Sequence, residues 1–466
     1  MNKFTKYIAA SLFVFSSLNC ERILEFEPEG VLLEDEAIQT KDDLQMLLNA
    51  AYEVLANGYN GQTQNVYELL SDNVSVPDNQ DDYTQVYNRR TDIFNGTINT
   101  AYKEPYFAIN RANVIKESVD LVSGMTEDER SRLIAESNFI RAFALFGVVK
   151  LWAQPAGYTS DNSHPGVAIP YTETSEPLPR TTVRAAYDFI TGNLRKAEAD
   201  LPETNNNYAT SWSAKGALAL AYFQMGKYDS AGYFADEIIT AGPFVLESMD
   251  DPLNFRFTTG TISTESIFST LSSNTASDNR SGGYTGNWRK GNQPSLTIAK
   301  EFIQEYYPAG LDTTTNQDKR VQWFTVLNEG EDNERYSCDK FDKDYFNIPL
   351  IYLTQMHFIR AESYARQGIN LGTAVDDVNA IKVRAGLAPS LPSSASAQEI
   401  IDAVQWERRL EMVGEGDRVS EIKRLGAIEN EPIESRGAPW DCNGMVIQFP
   451  SVEQTGIFEI NPEGGC

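Results

Sequence analysis

Tyr284, Trp288 and Arg289 stand in the stretch NRSGGYTGNWRKGNQPS (279–295), with Trp323 in VQWFTVL a little further on. Tyr83, Tyr87 and Asp81 occupy an earlier polar stretch containing DNQDDY. A flat aromatic ring can cover the apolar C–H face of a sugar, while amide, carboxylate and guanidinium groups reach its hydroxyl rim. These seven residues are therefore the candidate ligand-binding set. Trp288, between Gly286-Asn287 and Arg289-Lys290, is the leading one, and for Trp323 a core position is the favoured reading. No catalytic set is legible. The only histidines, His164 and His357, fall in different elements, too few for a histidine triad or a histidine-rich zinc site. Cys20, Cys338, Cys442 and Cys466 have no CxxC spacing. The acidic runs DNQDD and EGEDNE lack the EF-hand pattern, so no metal and no cofactor is expected.

The elements that must hold these loops are helical. In SWSAKGALALAYFQMGKYDSAGYFADEIITAG, Ala214, Ala217, Leu218, Ala221, Tyr222 and Met225 recur every three or four residues. Gly226 ends that helix, Asp229 is placed to cap the next, and Ala231, Phe234, Ala235, Ile238 and Ile239 repeat the pattern. Gly216 and Ala219 suit a close approach of two helix backbones. Tyr222, Gly226, Tyr228 and Ala231 match the first half of a tetratricopeptide repeat, a hairpin that needs stacked neighbours to cover its apolar face. Capping boxes at Thr40/Asp43 and Thr126/Glu129 open two such neighbours, and periodic helices recur at 98–122, 177–202 and 350–367. Trp152, Trp212 and Trp406 lie in helices and read as core, and the cluster Glu407, Arg408, Glu415, Gly416 and Arg418 reads as structural. Periodicity fails at 66–95 and again at 243–349, where one short helix and a few strands are expected. A segment of over a hundred residues without repeat signal is more often functional than idle.

The division expected is 1–19 signal peptide, 20–242 helical scaffold including the polar loop 66–95, 243–349 loop-rich insert, 350–426 further helix pairs and 427–466 irregular tail. The net charge of −27 argues against a nucleic-acid partner, because phosphates are repelled. Lys3 and Lys6 precede a short apolar run, Tyr7–Phe15, which Ser16-Ser17-Leu18-Asn19 joins to Cys20. This resembles a bacterial lipoprotein signal, with Cys20 as the acylated residue; a plain secretory signal is the alternative. A Cys442–Cys466 bridge would staple the tail.

Taken in order, ILEFEPEG, AINRANVI, AESNFIRAFALFGVVKLW, PLPRTTVRAAYDFITGNLRKAEADLP, the hairpin, STESIFS, FIRAESYARQG, VNAIKVRAGL, ERRLEMVGEGDRVSEIKR and FPSVEQTGIFEINP resemble the RagB/SusD family of nutrient-uptake outer-membrane lipoproteins. The resemblance implies a mainly α fold, with four tetratricopeptide-like helix pairs carrying a loop-rich, partly β lobe. It also implies a non-enzymatic partner of a SusC-like TonB-dependent transporter, facing the cell exterior on a lipid anchor and capturing oligosaccharides or, in some branches, peptides. The family places its glycan site on the two non-repeat regions without fixed residues. A secreted glycoside hydrolase is the reading from another class, and no carboxylate pair for it can be located.

Overall fold

The computed structural model describes residues 38–77, 81–273 and 279–466, apart from the side chain of Asn292. The signal segment, Cys20 and the lead-in 23–30 lie outside the described residues.

The fold is mainly α. The Thr40 capping box starts α1 (Lys41–Gly58), whose buried Leu44, Leu48, Ala51 and Leu55 lie along one stripe. α2 (Gln62–Leu70) follows, then β1 (Val74–Ser75), α3 (Asp81–Tyr87) and α4 (Gly96–Ser118). The region read as a polar loop is thus largely ordered. From Thr63 to Leu70 every residue of α2 is buried, polar ones included, so the helix has no solvent face to generate a period. The second capping box, at Thr126, opens α5 (Glu127–Trp152), buried almost throughout its C-terminal half because α4 and α6 (Val183–Asp200) pack against it.

The hairpin is α7 (Ser211–Gln224) and α8 (Tyr228–Ala241), turned by Gly226 at φ +67°. Asp229 does not cap α8: the cap residue is Lys227, without a side-chain hydrogen bond. The small residues serve two contacts. A Cβ on Gly216 would lie 2.6 Å from Ile351, so this glycine admits a strand rather than a helix. Gly232 faces Ser363 and Tyr364, and there α8 meets α11 (Leu353–Gln367). The helix array continues through α12 (Leu371–Arg384) and α13 (Ala397–Glu411) to α14 (Arg418–Glu429). α8 therefore packs directly on α11 although more than a hundred residues separate them in the chain.

That long excursion begins and ends in one ribbon. β2 (Ser266–Thr270) pairs antiparallel with β6 (Ile348–Tyr352) across α7. Between them come α9 (Gly282–Trp288), β3 (Thr297–Ile298), α10 (Lys300–Tyr306), β4 (Phe324–Leu327) and β5 (Arg335–Cys338). A sheet of order β1-β3-β5-β4 joins the excursion to the strand after α2. The tail forms the short hairpin β7 (Glu434–Ser435) and β8 (Ala438–Pro439), and a disulfide joins Cys442 to Cys466. Gln448 and Asn461 of the tail hydrogen-bond each other and Trp152, so the end of the chain is seated on α5. Among the described residues no helix is long and apolar enough to cross a membrane.

Candidate functional site

The leading sequence candidates turn inward. Tyr284, Trp288 and Trp323 are 1%, 0% and 0% exposed, so none offers a ring face to a ligand. Tyr284 stacks on Phe341 with ring centroids 4.2 Å apart, and Trp288 Nε1 donates to Asn65 Oδ1 at 2.8 Å. Trp323 Nε1 donates to the Pro252 carbonyl at 2.8 Å, with Lys340 Nζ 4.2 Å from its ring centroid. Tyr83 is buried in the same cluster, near Asn65 and Asn287. The glycines around these rings, which suggest an open loop, serve close packing instead. A Cβ on Gly61 would strike Tyr284 at 2.5 Å, one on Gly283 would strike the backbone of Gln62 at 2.3 Å, and one on Gly414 would strike Phe341 at 2.7 Å.

The other three candidates stay nearer the surface but do not join in one site. Arg289 pairs with Asp344 at 2.5 Å, Tyr87 lies beneath the Arg436 guanidinium at 3.7 Å, and Asp81 is exposed in the first turn of α3. Trp406 is 44% exposed, against the core position expected of it; its ring lies 4.3 Å from that of Tyr306 on the outer side of α13.

The acidic and basic residues after Trp406 are structural in geometry. Arg408 holds Asp417 with two hydrogen bonds of 2.7 Å, and Glu407 pairs with Arg320 and Lys382. Arg256, from the connection between α8 and β2, and Lys340, from the excursion, reach Glu415 at 2.7 and 2.8 Å, and Arg384 reaches Glu411 at 2.5 Å. Burial raises the Glu411 carboxyl, yet Arg384, Arg256, Arg320 and Lys340 outweigh it and pull the group down to about 2. Glu68, buried without a cation of this kind, is pushed up to about 7 despite bonds from Gly416 N and Ser71. Beside this network is a small cavity of about 100 Å³ lined by Tyr352, Lys150, Glu415 and Asp417, among others. It suits a few waters and is too small for a sugar.

The open concave surface lies elsewhere, between α1, the α6–α7 connection and the start of the excursion. A groove of about 670 Å³ is lined by Asn49, Tyr52, Glu53, Tyr208, Ser269 and Arg280, among others. A hollow of about 370 Å³ adjoins it, sharing Asn206, Asn207, Tyr208 and Phe268. These volumes are in the range of ligand sites. The rings of Tyr52 and Tyr208 meet at 5.2 Å and 50°, both half-buried.

Their hydroxyls are committed to the protein. Tyr208 Oη donates to Asn49 Oδ1 at 2.8 Å, and Tyr52 Oη accepts from Ala209 N at 3.1 Å. Burial, reinforced by the Glu136 carboxylate, holds the Tyr52 phenol well above its ordinary range and hence protonated. Fixing the hydroxyls fixes the rings, which is what a stacking platform needs. Around them stand exposed Asn206 and Asn207, and Arg280, which donates to Asn57 at 2.8 Å and to Glu53 at 3.3 Å. Two rigid aromatic rings bordered by amides and one carboxylate–guanidinium pair match the two faces of a neutral polyhydroxylated ring. Among the described residues no group of three or more His, Cys, Asp and Glu could hold a metal ion.

None of these lining residues was in the sequence-predicted set. The run Asn205-Asn206-Asn207-Tyr208 carried the signal, amides next to an aromatic in a connection too polar for a helix. Tyr52 gave none, because it sits beside the apolar stripe of α1 and reads as its edge.

Two family models match the chain. One, SusD-like, described as starch-binding and associating with the outer membrane, covers residues 24–223; the other, the SusD family, covers 339–441. SusD-like protein P38 of Formosa agariphila is 23% identical over 444 residues, spanning 89% of this chain and 84% of its own. Among solved structures, a SusD superfamily protein from Bacteroides vulgatus superposes with a TM-score of 0.77 at 20% identity, covering 91% of this chain and 99% of the other. A SusD-like carbohydrate binding protein from the same species gives 0.68 at 19%, covering 83% and 84%. At these identities the structural likeness is one of fold.

Proposed function

The chain belongs to the SusD family, and from that premise we propose that it is a cell-surface, lipid-anchored binding protein that captures oligosaccharides in the Tyr52–Tyr208 groove. In this reading Cys20 carries the acyl chains that hold it on the outer membrane. A SusC-like TonB-dependent transporter receives the ligand, with the protein as its lid. Such a role needs no catalytic residue, since the transporter supplies the work of uptake. The observation that carries the reading is the pair of hydroxyl-fixed tyrosine rings bordered by Asn49, Asn206 and Asn207 in an open groove.

The acidic surface adds a preference. A net charge of −27 disfavours sulfated or uronate-rich chains and leaves neutral glycans as the class favoured. Titrating the purified protein against neutral oligosaccharides, acidic oligosaccharides and peptides tests the binding claim. Saturable binding of a neutral glycan that Tyr208→Ala weakens supports it, and binding untouched by Tyr208→Ala sinks the assignment of the groove. Fractionation tests the anchor separately: Cys20→Ser is expected to move the protein from the membrane to the soluble fraction, and unchanged membrane association would overturn that part alone.

A further inference from the structure

A second deep pocket, about 480 Å³, lies between α4, the segment 168–178 and the tail. One wall is the outer stripe of α4, where Lys103, Tyr106, Phe107 and Asn110 follow the i, i+3, i+4, i+7 spacing. Phe107 is 52% exposed, and Val452 of the tail is 54% exposed. Proline and leucine side chains at Pro170, Pro177 and Leu178 complete an apolar lining. A large exposed phenylalanine and an exposed valine lining one cavity are an arrangement that burial by a ligand would stabilise.

The polar groups of this pocket are unlike those of the Tyr52–Tyr208 groove. At its inner end Glu453 accepts a hydrogen bond from Tyr102 Oη at 2.8 Å, and Tyr102 is itself clamped by Trp152 and Phe449 at 5.1 and 5.7 Å. Asn110 Oδ1 is buried without a hydrogen-bond partner among the described residues. Glu173 and Glu176 also line the cavity, and Lys103 is the one basic residue among its lining. Glu453 and the Asn110 oxygen are thus acceptors beside apolar walls that carry two aromatic rings, while Glu173 is half-buried, Glu176 is exposed, and Thr174, Ser175 and Thr455 add hydroxyls to the lining. A carboxylate and an unsatisfied carbonyl oxygen ask for a donor, and the faces of Tyr106 and Phe107 attract a cation.

We propose that this pocket binds an organic cation carried on an apolar stem, the side chain of an arginine or lysine in a peptide. The stem lies between Phe107 and Val452, and the charged head reaches Glu453 and Asn110. The site is separate from the tyrosine groove and does not depend on what that groove holds.

The test uses the full-length protein and two blocked tripeptides, acetyl-Gly-Arg-Gly-amide and its neutral citrulline counterpart, titrated by calorimetry. Arginine peptide bound at least tenfold more tightly than the citrulline peptide is the expected result. Phe107→Ala and Glu453→Gln should each weaken it about tenfold, while Tyr208→Ala leaves it unchanged. Phe107 is exposed, so Phe107→Ala is readable even where Glu453→Gln disturbs folding. Equal binding of both peptides, no saturable binding of either, or arginine-peptide binding indifferent to Phe107→Ala overturns the proposal.

Discussion

Around Phe341 and around Asn49 the chain gathers tyrosines with opposite consequences. At the first place Tyr284 stacks at 4.2 Å, Trp288 bonds to Asn65, and glycines at 61, 283 and 414 bring backbone against the rings. At the second, Tyr52 and Tyr208 are pinned through their hydroxyls while part of each ring stays open to a groove. Aromatic content does not separate a core from a platform. The neighbours do: glycine permits contact on all sides, whereas an asparagine run in a short connection keeps water and polar ligands within reach.

The contrast is sharpest for stability. Trp288→Ala is expected to cost about 3–5 kcal/mol, read as a lowered denaturation midpoint, because it empties a closed site and takes the indole donor from Asn65 Oδ1. A protein with Trp288→Ala that unfolds normally yet fails to bind glycan would reverse the comparison. Acid titration probes the ion network beside the packed cluster. Glu411 has a folded value of about 2 against an ordinary 4.5, so its contribution is present above pH 4.5 and is lost as pH falls through about 2. The loss is of order 3 kcal/mol. Urea unfolding followed from pH 5 to 2 should show it, and Glu411→Gln should flatten that limb.

The tail offers a covalent variant of the same question. Cys466→Ser removes a bridge spanning 24 positions and should cost about 3 kcal/mol on loop-entropy grounds, measured as a shift in urea midpoint. Glycan affinity should be retained, since the bridge lies outside the groove's lining. The smallest effect belongs to the platform itself. Tyr208→Ala should weaken glycan binding by about tenfold, roughly 1.4 kcal/mol, with a stability change below about 1 kcal/mol. A large drop in stability would mark Tyr208 as core after all.

Much of the helical frame was legible because local rules and burial agreed there. Thr40 and Thr126 make the expected capping boxes, and Gly226 turns the hairpin. The family, and with it the mainly α fold, was legible from blocks in order. α2 was not, since Asn65 and Glu68 are polar residues satisfied by partners distant in sequence, Gly283 O and Gly416 N. Gly216 was read as a helix–helix contact, but it faces Ile351 of a strand that returns only after the excursion. The aromatics of that excursion were misread for the same reason: whether a ring is covered depends on what arrives from elsewhere in the chain. Tyr52 and Tyr208, 156 positions apart, meet only in three dimensions.

The pairing of β2 with β6 means that the excursion leaves the helix array and rejoins it at adjacent points. Because its ends are held together, lengthening the intervening chain costs little, about 0.6 kcal/mol for each doubling of a flexible loop. Descendants of such a protein can therefore extend or trim the exposed turns between the two strands while the register of α7, α8 and α11 is inherited unchanged. Trp288, bonded to Asn65 of α2, and Arg320, paired with Glu407 of α13, travel with the helix array, so length varies at the turns and not at these anchors.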